Sequence, residues 1–480
     1  MHERLHTKQE ESAYLTHEYQ KNPHLFERKT FVDDAPMLSE FGIQIPGKED
    51  FVAGALKLWP EDFIVEEISK EGEVASVMSP KDRILKGGAP TKVLTATLVK
   101  CSISTLEAIS DIARLLSIPT DDIGYAGMKD KDAITAQRIS LRGVSIEKAQ
   151  AIESPFFFLT DFEYGKGVIQ RGALQGNRFT ILVRTPVPLS DPASGSVVAR
   201  ALERVATEGF YNFFYLQRFS MPRLRNYQWA YDILKGNYKA AVEDILTTAG
   251  ERELPFFKNI RADIKKSWGK WQEVQDILAP FPLFFVHEQK LVGHLVAHPA
   301  DFSGALQTIP EQVTIWLNAL GSLFFNKKIA EYVLRGQKPP SDLPFFLSVQ
   351  AKDQVVYKDM LVRYGLWPIP FANLVPFPFI KTKGGHVTPT KSFAKILQGK
   401  IVDQGLLLQF ELGKGQYATT FLSHVFNLLS GPLPPGSVLD RTDTRLQLGQ
   451  ESLVGLLAHF ESVIQQPDEN DFAKLVAKGD

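Results

Sequence analysis

The sequence predicts an α+β fold, and three observations carry that reading. Stretches of apolar–polar alternation stand beside stretches whose apolar residues recur at helical spacing. The two kinds do not alternate regularly, as a chain of strand–helix–strand units would require. The chain has 480 residues, more than one compact core ordinarily holds, so two domains or three are expected.

The first elements are strands. "FVAGALKLWPEDFIVEEISKEG" reads as strand, turn, strand, with "WPED" as the turn. After "VLTATLVKCSI" a helix begins: Ser104 and Glu107 have capping-box spacing, and Leu106, Ile109, Ile112, Leu115 and Leu116 follow at helical spacing before Pro119. "AITAQRISLRG" is a strand, and a short helix starts at Ser145. In "NRFTILVRT" Phe179, Ile181 and Val183 fall on one face and Arg178, Thr180 and Arg184 on the other, the pattern of a half-buried strand. "SVVARALERVATEG" is a helix ending at Gly209, and two short helices flank Gly236. A longer helix covers "WLNALGSLFFNKKIAEYVL". "GLLLQFELGKGQYATTFLSHVFNLLSG" reads as strand, turn, helix, and "ESLVGLLAHFESVIQQ" as a last helix. Residues 1–48 are polar and net acidic, an extension that is either partly helical and docked or partly loose.

Composition narrows the class. Apolar residues make up 44% of the chain and charged residues 23%, as in an ordinary globular protein. The net charge of −1 gives no global basic field, so a polyanionic partner would be held by a local patch. One cysteine, Cys101, excludes an intrachain disulfide framework and cysteine-based zinc sites. No apolar run approaches the roughly 18 residues of a membrane span. The opening "MHERLHTKQEESAYL" lacks the apolar core of a secretory signal, so a cytoplasmic protein without a membrane partner is expected.

The stretch "GYAGMKDKDAITAQRISL", residues 124–141, carries the chemistry. It is not a phosphate loop, because Met128 separates Gly127 from Lys129 and no hydroxyl follows the lysine. It lacks the glycine pattern and following helix of a dinucleotide site. "GYAG" matches the GXXG clamp of KH domains, but a strand follows where a helix should. The run Lys129, Asp130, Lys131, Asp132 alone reads as a solvated turn. Gly124 and Gly127, however, permit a sharp path and close approach of another chain. An aspartate on such a turn, kept ionised by a neighbouring cation such as Lys129, can serve as nucleophile or base.

A second cluster, "GFYNFFYLQRFSMPRLRN" at residues 209–226, is either a buried aromatic group or a surface where aromatics stack on bases and arginines hold phosphates. "HEQKLVGHLVAH" puts His294 and His298 on one helix face, but no acid or cysteine set completes a metal site. Cys101 reads as a small buried residue.

In combination these segments resemble the TruD family of pseudouridine synthases. Gly124, Gly127, Lys129, Asp130, Ala133, Thr135 and Gln137 match every fixed letter of its Gly-x-x-Gly-x-Lys-Asp-x-x-Ala-x-Thr-x-Gln signature. Asp62, Phe63, Val65 and Glu67 match Asp-Phe-x-Val-x-Glu, and "GALQGNRFTILVR" resembles the family's Gly-x-Leu-x-Gly-Asn-x-Phe strand. "NFFYLQRF" is similar to Asn-Tyr-Phe-Gly-x-Gln-Arg-Phe-Gly, with Phe213 for the tyrosine and Tyr215 and Ser220 for the two glycines. "GSLFFN" and "GKGQYATTFL" resemble two further family segments.

The resemblance implies a pseudouridine synthase core, a mixed and mainly antiparallel sheet with flanking helices, interrupted by an inserted α+β TRUD domain. The expected boundaries are residues 1–48 for the extension, 49–221 and 386–480 for the catalytic domain, and 222–385 for the insertion. It implies isomerisation of a uridine to pseudouridine, at uridine 13 of transfer RNA, by a monomer needing no metal, redox cofactor or nucleotide. Asp130 would be the catalytic carboxylate, attacking the ribose or base or removing a ribose proton, with Lys129 holding it ionised and oriented. Phe63 would wall the pocket, Phe214 stack on the uracil, and Asn212 hydrogen-bond near Asp130 or the base. Gln137, Gln217 and Arg218 complete the expected substrate contacts. Phosphates would meet Arg223, Arg225 and the cations of "KDRILKGG". The alternative is a non-catalytic RNA-binding or RNA-folding protein that retains the scaffold.

Overall fold

The computed structural model describes residues 2–80, 85–87, 92–165, 167–382, 387–434 and 437–464. The chain forms two compact units. One comprises Gly47–Phe210 and the described residues from Ser392 onward; the other comprises the residues up to Pro46 and Tyr211–Lys391.

The first unit is built on a mixed sheet. Its strands are β1 (Ala53–Ala55), β2 (Phe63–Ser69), β3 (Leu85–Gly87), β4 (Val93–Cys101), β5 (Ile123–Tyr125), β6 (Ile134–Arg142), β7 (Phe157–Gly165), β8 (Leu174–Arg184), β9 (Lys395–Val402), β10 (Gly405–Gly413) and β11 (Asn427–Ser430). They lie in the order β11-β1-β8-β2-β6-β4-β7-β3. β10 pairs with β8 and with β9, and β5 pairs with the end of β6. β2 runs parallel to β6, β3 to β7 and β11 to β1; the other pairs are antiparallel.

Strand alternation sorts the core onto two faces. Leu94, Ala96 and Leu98 of β4 join Ile139, Leu141, Phe157 and Leu159 under the helix Thr105–Leu116. Val99 and Cys101 join Ile64, Ile134 and Phe158 under Leu456 and Phe460 of the helix Val454–Phe460. The expected capping box is present, Ser104 accepting from Glu107 N and Glu107 from Ser104 N. The buried face of that helix is narrower than the apolar pattern suggests: Ala108, Ile109, Ile112 and Ala113 pack inward, while Leu106 is 54% exposed.

β8 differs from the half-buried strand expected. Every residue from Phe179 to Arg184 is buried. Phe179 stacks on Phe410 on one face. On the other, Thr180 accepts from Gln409, and Arg184 is held by both carboxylate oxygens of Asp62 and by the carbonyls of Val438 and Asp440. A segment that follows β8 by some 250 positions therefore covers the polar face and satisfies it.

The second unit is mainly helical. Asn226–Leu234 and Tyr238–Thr247 flank Gly236, Pro255–Lys266, Trp271–Leu278 and Val286–Ala297 follow, and Pro310–Leu334 is the long helix. Asp342–Pro344 and Val387–Pro389 form a short antiparallel pair. Residues of the N-terminal extension are built into this unit. The helix His2–Lys21 carries buried Glu11, whose carboxylate accepts from the backbone of Leu283 (2.7 Å) and Phe284 (3.0 Å). Asn326 on the long helix donates to the carbonyls of Phe41 and Phe214. No helix among the described residues is long and apolar enough to cross a membrane.

Candidate active site

The signature stretch leaves β5, turns through residues 126–133 and enters β6. Gly124 is required by space: a Cβ there would lie 2.5 Å from Ser140 Oγ and 2.6 Å from Ile169 O. Gly127 has no such crowding, its nearest neighbour being Lys129 Nζ at 3.8 Å.

The turn has no regular backbone ladder, and buried polar side chains hold it instead. Thr105, first residue of its helix, accepts from Lys129 N at 2.9 Å and donates to Gln137 Oε1 at 3.0 Å. Gln137 in turn donates to the Gly127 carbonyl at 3.0 Å. From β4, the Lys100 ammonium donates to the carbonyls of Asp130 (2.6 Å) and Ile103 (2.8 Å). Lys129 reaches Glu67 at 2.8 Å and donates to Asn177 Oδ1 at 2.8 Å. Three of the sequence segments thus meet at one ammonium: Glu67 from β2, Asn177 from β8 and Lys129 from the turn.

Asp130 is the exposed member of this group, with 38% of its side chain accessible. Its Oδ1 lies 2.5 Å from Lys57 Nζ. Lys57 sits between β1 and β2 in the left-handed region, φ 60°, and its ammonium lies 4.3 Å from the centre of the Phe63 ring. Partial burial pushes the Asp130 carboxyl up, but the Lys57 charge and hydrogen bond, with the Lys100 charge, outweigh it. The carboxyl is held below its ordinary value and is ionised at neutral pH.

The structure revises the expected role of Lys129. Its side chain turns into the protein, where it and Glu67 are 3% and 2% exposed, and the cation paired with Asp130 is Lys57. Adjacent residues on a non-helical stretch point to different sides, so the pair seen in sequence is not a pair in space. Phe63 is buried, packing edge-on to Phe179 beneath Lys57. Gln137 is fully buried, and its amide holds the loop.

The other expected contacts lie in the helical unit. Asn212 is buried, its amide donating to the Pro389 carbonyl. Phe214 is half-buried, edge-on to Phe325, with the Arg218 guanidinium 5.1 Å from its ring centre. Gln217 is exposed. The family glycines are replaced in two ways: Ser220 takes the left-handed φ of 62°, and Tyr215 is buried with its hydroxyl donating to Asp33 at 2.7 Å. Much of this cluster is core rather than open surface, for Phe213, Tyr215 and Phe219 are buried.

Arg223 and Arg225 are not free for phosphate. Arg223 is buried and donates to the carbonyls of Asp244, Ile245 and Thr248, while Arg225 is paired with Asp244 at 2.8 Å. The "KDRILKGG" cations lie outside the described residues, apart from the backbone of Leu85–Gly87. His294 is bound to Asp301 at 2.9 Å, and no group of three or more metal-binding side chains occurs among the described residues.

Sequence reasoning overlooked Lys57, Thr105 and Lys100 as members of the site. Lys100 carried a signal, a lone cation inside the apolar strand "TATLVKC". Lys57 and Thr105 carried none. Glu67 and Asn177 were visible as motif letters without a role.

Comparison with known proteins bears on the family and the fold. The model of the tRNA pseudouridine synthase D (TruD) family matches residues 47–344. The probable tRNA pseudouridine synthase D 1 of Methanocaldococcus jannaschii is 27% identical over 392 residues, 78% of this chain and 95% of that protein. The tRNA pseudouridine synthase D of Geobacter sp. strain M21 is 31% identical over 284 residues, 59% of this chain and 64% of that one. The crystal structure of the putative tRNA pseudouridine synthase D from Methanosarcina mazei has the same fold, with a TM-score of 0.60 and 20% identity over 81% of this chain and 97% of that one. The chain whose signature loop carries Asp130 against Lys57 belongs to the TruD family of tRNA pseudouridine synthases.

Proposed function

We propose that this chain isomerises a uridine of transfer RNA to pseudouridine, at position 13, with Asp130 as the catalytic carboxylate. One observation carries the reading: the aspartate of the signature loop is accessible, ionised and fixed by Lys57, while Thr105, Gln137 and Lys100 hold the loop backbone. The names of the relatives support the substrate class.

The reaction breaks the bond from C1′ to N1 and forms one from C1′ to C5. The proton on C5 leaves and N1 gains one, so the product is an isomer and no oxidant, reductant or nucleotide enters the balance. A stacked uridine must first be flipped out, at a cost of a few kcal/mol. Asp130 then faces the ribose–uracil linkage as a charged carboxylate. Lys57 fixes one of its oxygens, leaving the other for the substrate. Phe214, Gln217 and Arg218 of the helical unit supply a stacking ring, an exposed amide and a cation for RNA.

The test is pseudouridine mapping on transfer RNA from cells lacking this gene, incubated with purified protein and no nucleotide. A new signal at uridine 13, absent with Asp130→Asn, supports the whole reading. A signal at another uridine replaces the position only. RNA binding by the wild type with no pseudouridine on any RNA makes the chain a binding protein and rejects the proposal.

A further inference from the structure

Lys100 stands outside the contacts usually demanded of a charged side chain. It lies next to the last residue of β4, is fully buried, and its ammonium donates to two backbone carbonyls, those of Ile103 and Asp130. Among the described residues no carboxylate is hydrogen-bonded to it. Burying an ammonium against neutral carbonyls alone is costly, whereas a methionine of similar length would fill the same space without that cost. Packing of β4 does not call for a cation here.

What the cation touches supplies the reason. The Asp130 carbonyl belongs to the residue whose carboxylate is the exposed end of the site. Thr105 and Gln137 hold the loop one and three residues earlier, at Lys129 N and Gly127 O. Lys100 alone among the three holds Asp130 itself, from beneath. We propose that Lys100 is a positioning residue for the chemistry at Asp130: its buried ammonium anchors the Asp130 backbone and supplies that carboxylate with a second positive charge from inside the protein. The proposal rests on Asp130 being the catalytic carboxylate.

The charges around the pair are few. Asp130 faces Lys57 from the turn before β2 and Lys100 from β4. Lys100 faces Asp130, Lys57, Lys129 and the thiol of Cys101. Burial lowers the Lys100 pKa to about 7, with Lys57 and Lys129 acting in the same direction and Asp130 opposing them. Below that value the ammonium is charged, so it is charged throughout the range in which a carboxylate titrates. Lys57 and Lys100 divide the work. Lys57 binds the carboxylate from the accessible side, and Lys100 sets where the residue stands.

Two variants separate anchor from charge. Lys100→Met removes both; Lys100→Gln keeps a donor for a carbonyl and removes the charge. Single-turnover pseudouridine formation is followed from about pH 3 to 9, a range that reaches down through the ordinary carboxylate value and up past the Lys100 titration, with transfer-RNA affinity measured in parallel. The Met variant should lose about 100-fold in rate, and the Gln variant about 10-fold. In both, the acid limb of the pH–rate profile should move up by about half to one unit, because Asp130 has lost a cation that favours its charged form. Affinity should stay within about twofold, since Lys100 is buried away from RNA.

A purely structural role would lower rate and affinity together and leave the acid limb in place; that result overturns the proposal. So do wild-type rates in both variants. Should the Met variant fail to fold, the Gln variant decides by its acid limb. A wild type that forms no pseudouridine at any pH rejects the proposed function and this inference with it, whereas an active wild type matched by both variants rejects only the inference.

Discussion

Lys57 Nζ lies 2.5 Å from Asp130 Oδ1 and 4.3 Å from the centre of the Phe63 ring. A residue of the turn before β2 thus binds the carboxylate of the signature loop while resting on the first aromatic of β2. The cation is held on two sides before any substrate arrives, so the carboxylate it orients is preorganised.

Removing the carboxylate charge is the most direct test. Asp130→Asn is nearly isosteric and its amide still fits beside Lys57. Pseudouridine formation should fall by at least about 1,000-fold, while transfer-RNA binding and thermal unfolding stay close to wild type. Product counting by chemical labelling and a filter-binding curve decide the two halves.

The Lys57 charge predicts a pH effect with a definite sign. Asp130 is held below its ordinary pKa, so the acid limb of wild-type activity should lie well below neutrality, apart from any alkaline limb from loss of the Lys100 charge at about pH 7. Lys57→Met removes the largest favourable charge on that carboxyl. Its pKa rises, and the acid limb of the rate profile moves toward neutral pH by about one unit. A profile that falls without moving would contradict this assignment.

Lys129 and Glu67 form a pair that is 3% and 2% exposed. Breaking it from one side strands a buried charge, at a cost of about 3–5 kcal/mol. Lys129→Met should therefore lower stability in urea by that order, and Lys129→Met with Glu67→Leu should recover part of it. A pair that acted only in chemistry would leave the unfolding curve in place.

Arg218 rests against the half-buried Phe214 ring. If the two meet RNA, Arg218→Ala should weaken transfer-RNA binding and lower the slope of log affinity against log salt by about one. Phe214→Ala should weaken binding with the slope unchanged, because a stacked ring releases no counterions. Identical slopes in all three proteins would place Arg218 away from the phosphates.

Sequence carried the elements further than it carried the contacts. The capping box at Ser104 and Glu107 was legible because both halves lie within four residues. The burial of β8 was not, because Arg184 is satisfied by Asp62 and by carbonyls at Val438 and Asp440, which no local pattern announces. The motif letters Glu67, Asn177 and Lys129 stood in view, but their meeting at one ammonium depends on how β2, β8 and the turn converge. The pairing of Lys57 with Asp130 spans 73 positions and left no trace in spacing. Tyr215 read as a lost glycine, whereas its hydroxyl reaches an aspartate 182 positions earlier.

The two halves of the sheet are made far apart in time. Arg178 of β8 meets Glu411 of β10 across 233 positions, and the whole of Tyr211–Lys391 is translated between them. Until β10 leaves the ribosome, one edge of β8 around Ile181–Val183 has no partner. An apolar strand edge waiting that long is a template for pairing with other nascent chains. Chains truncated before Gly405 should therefore aggregate, and synthesis of the full protein should depend on whatever shields that edge in the interval.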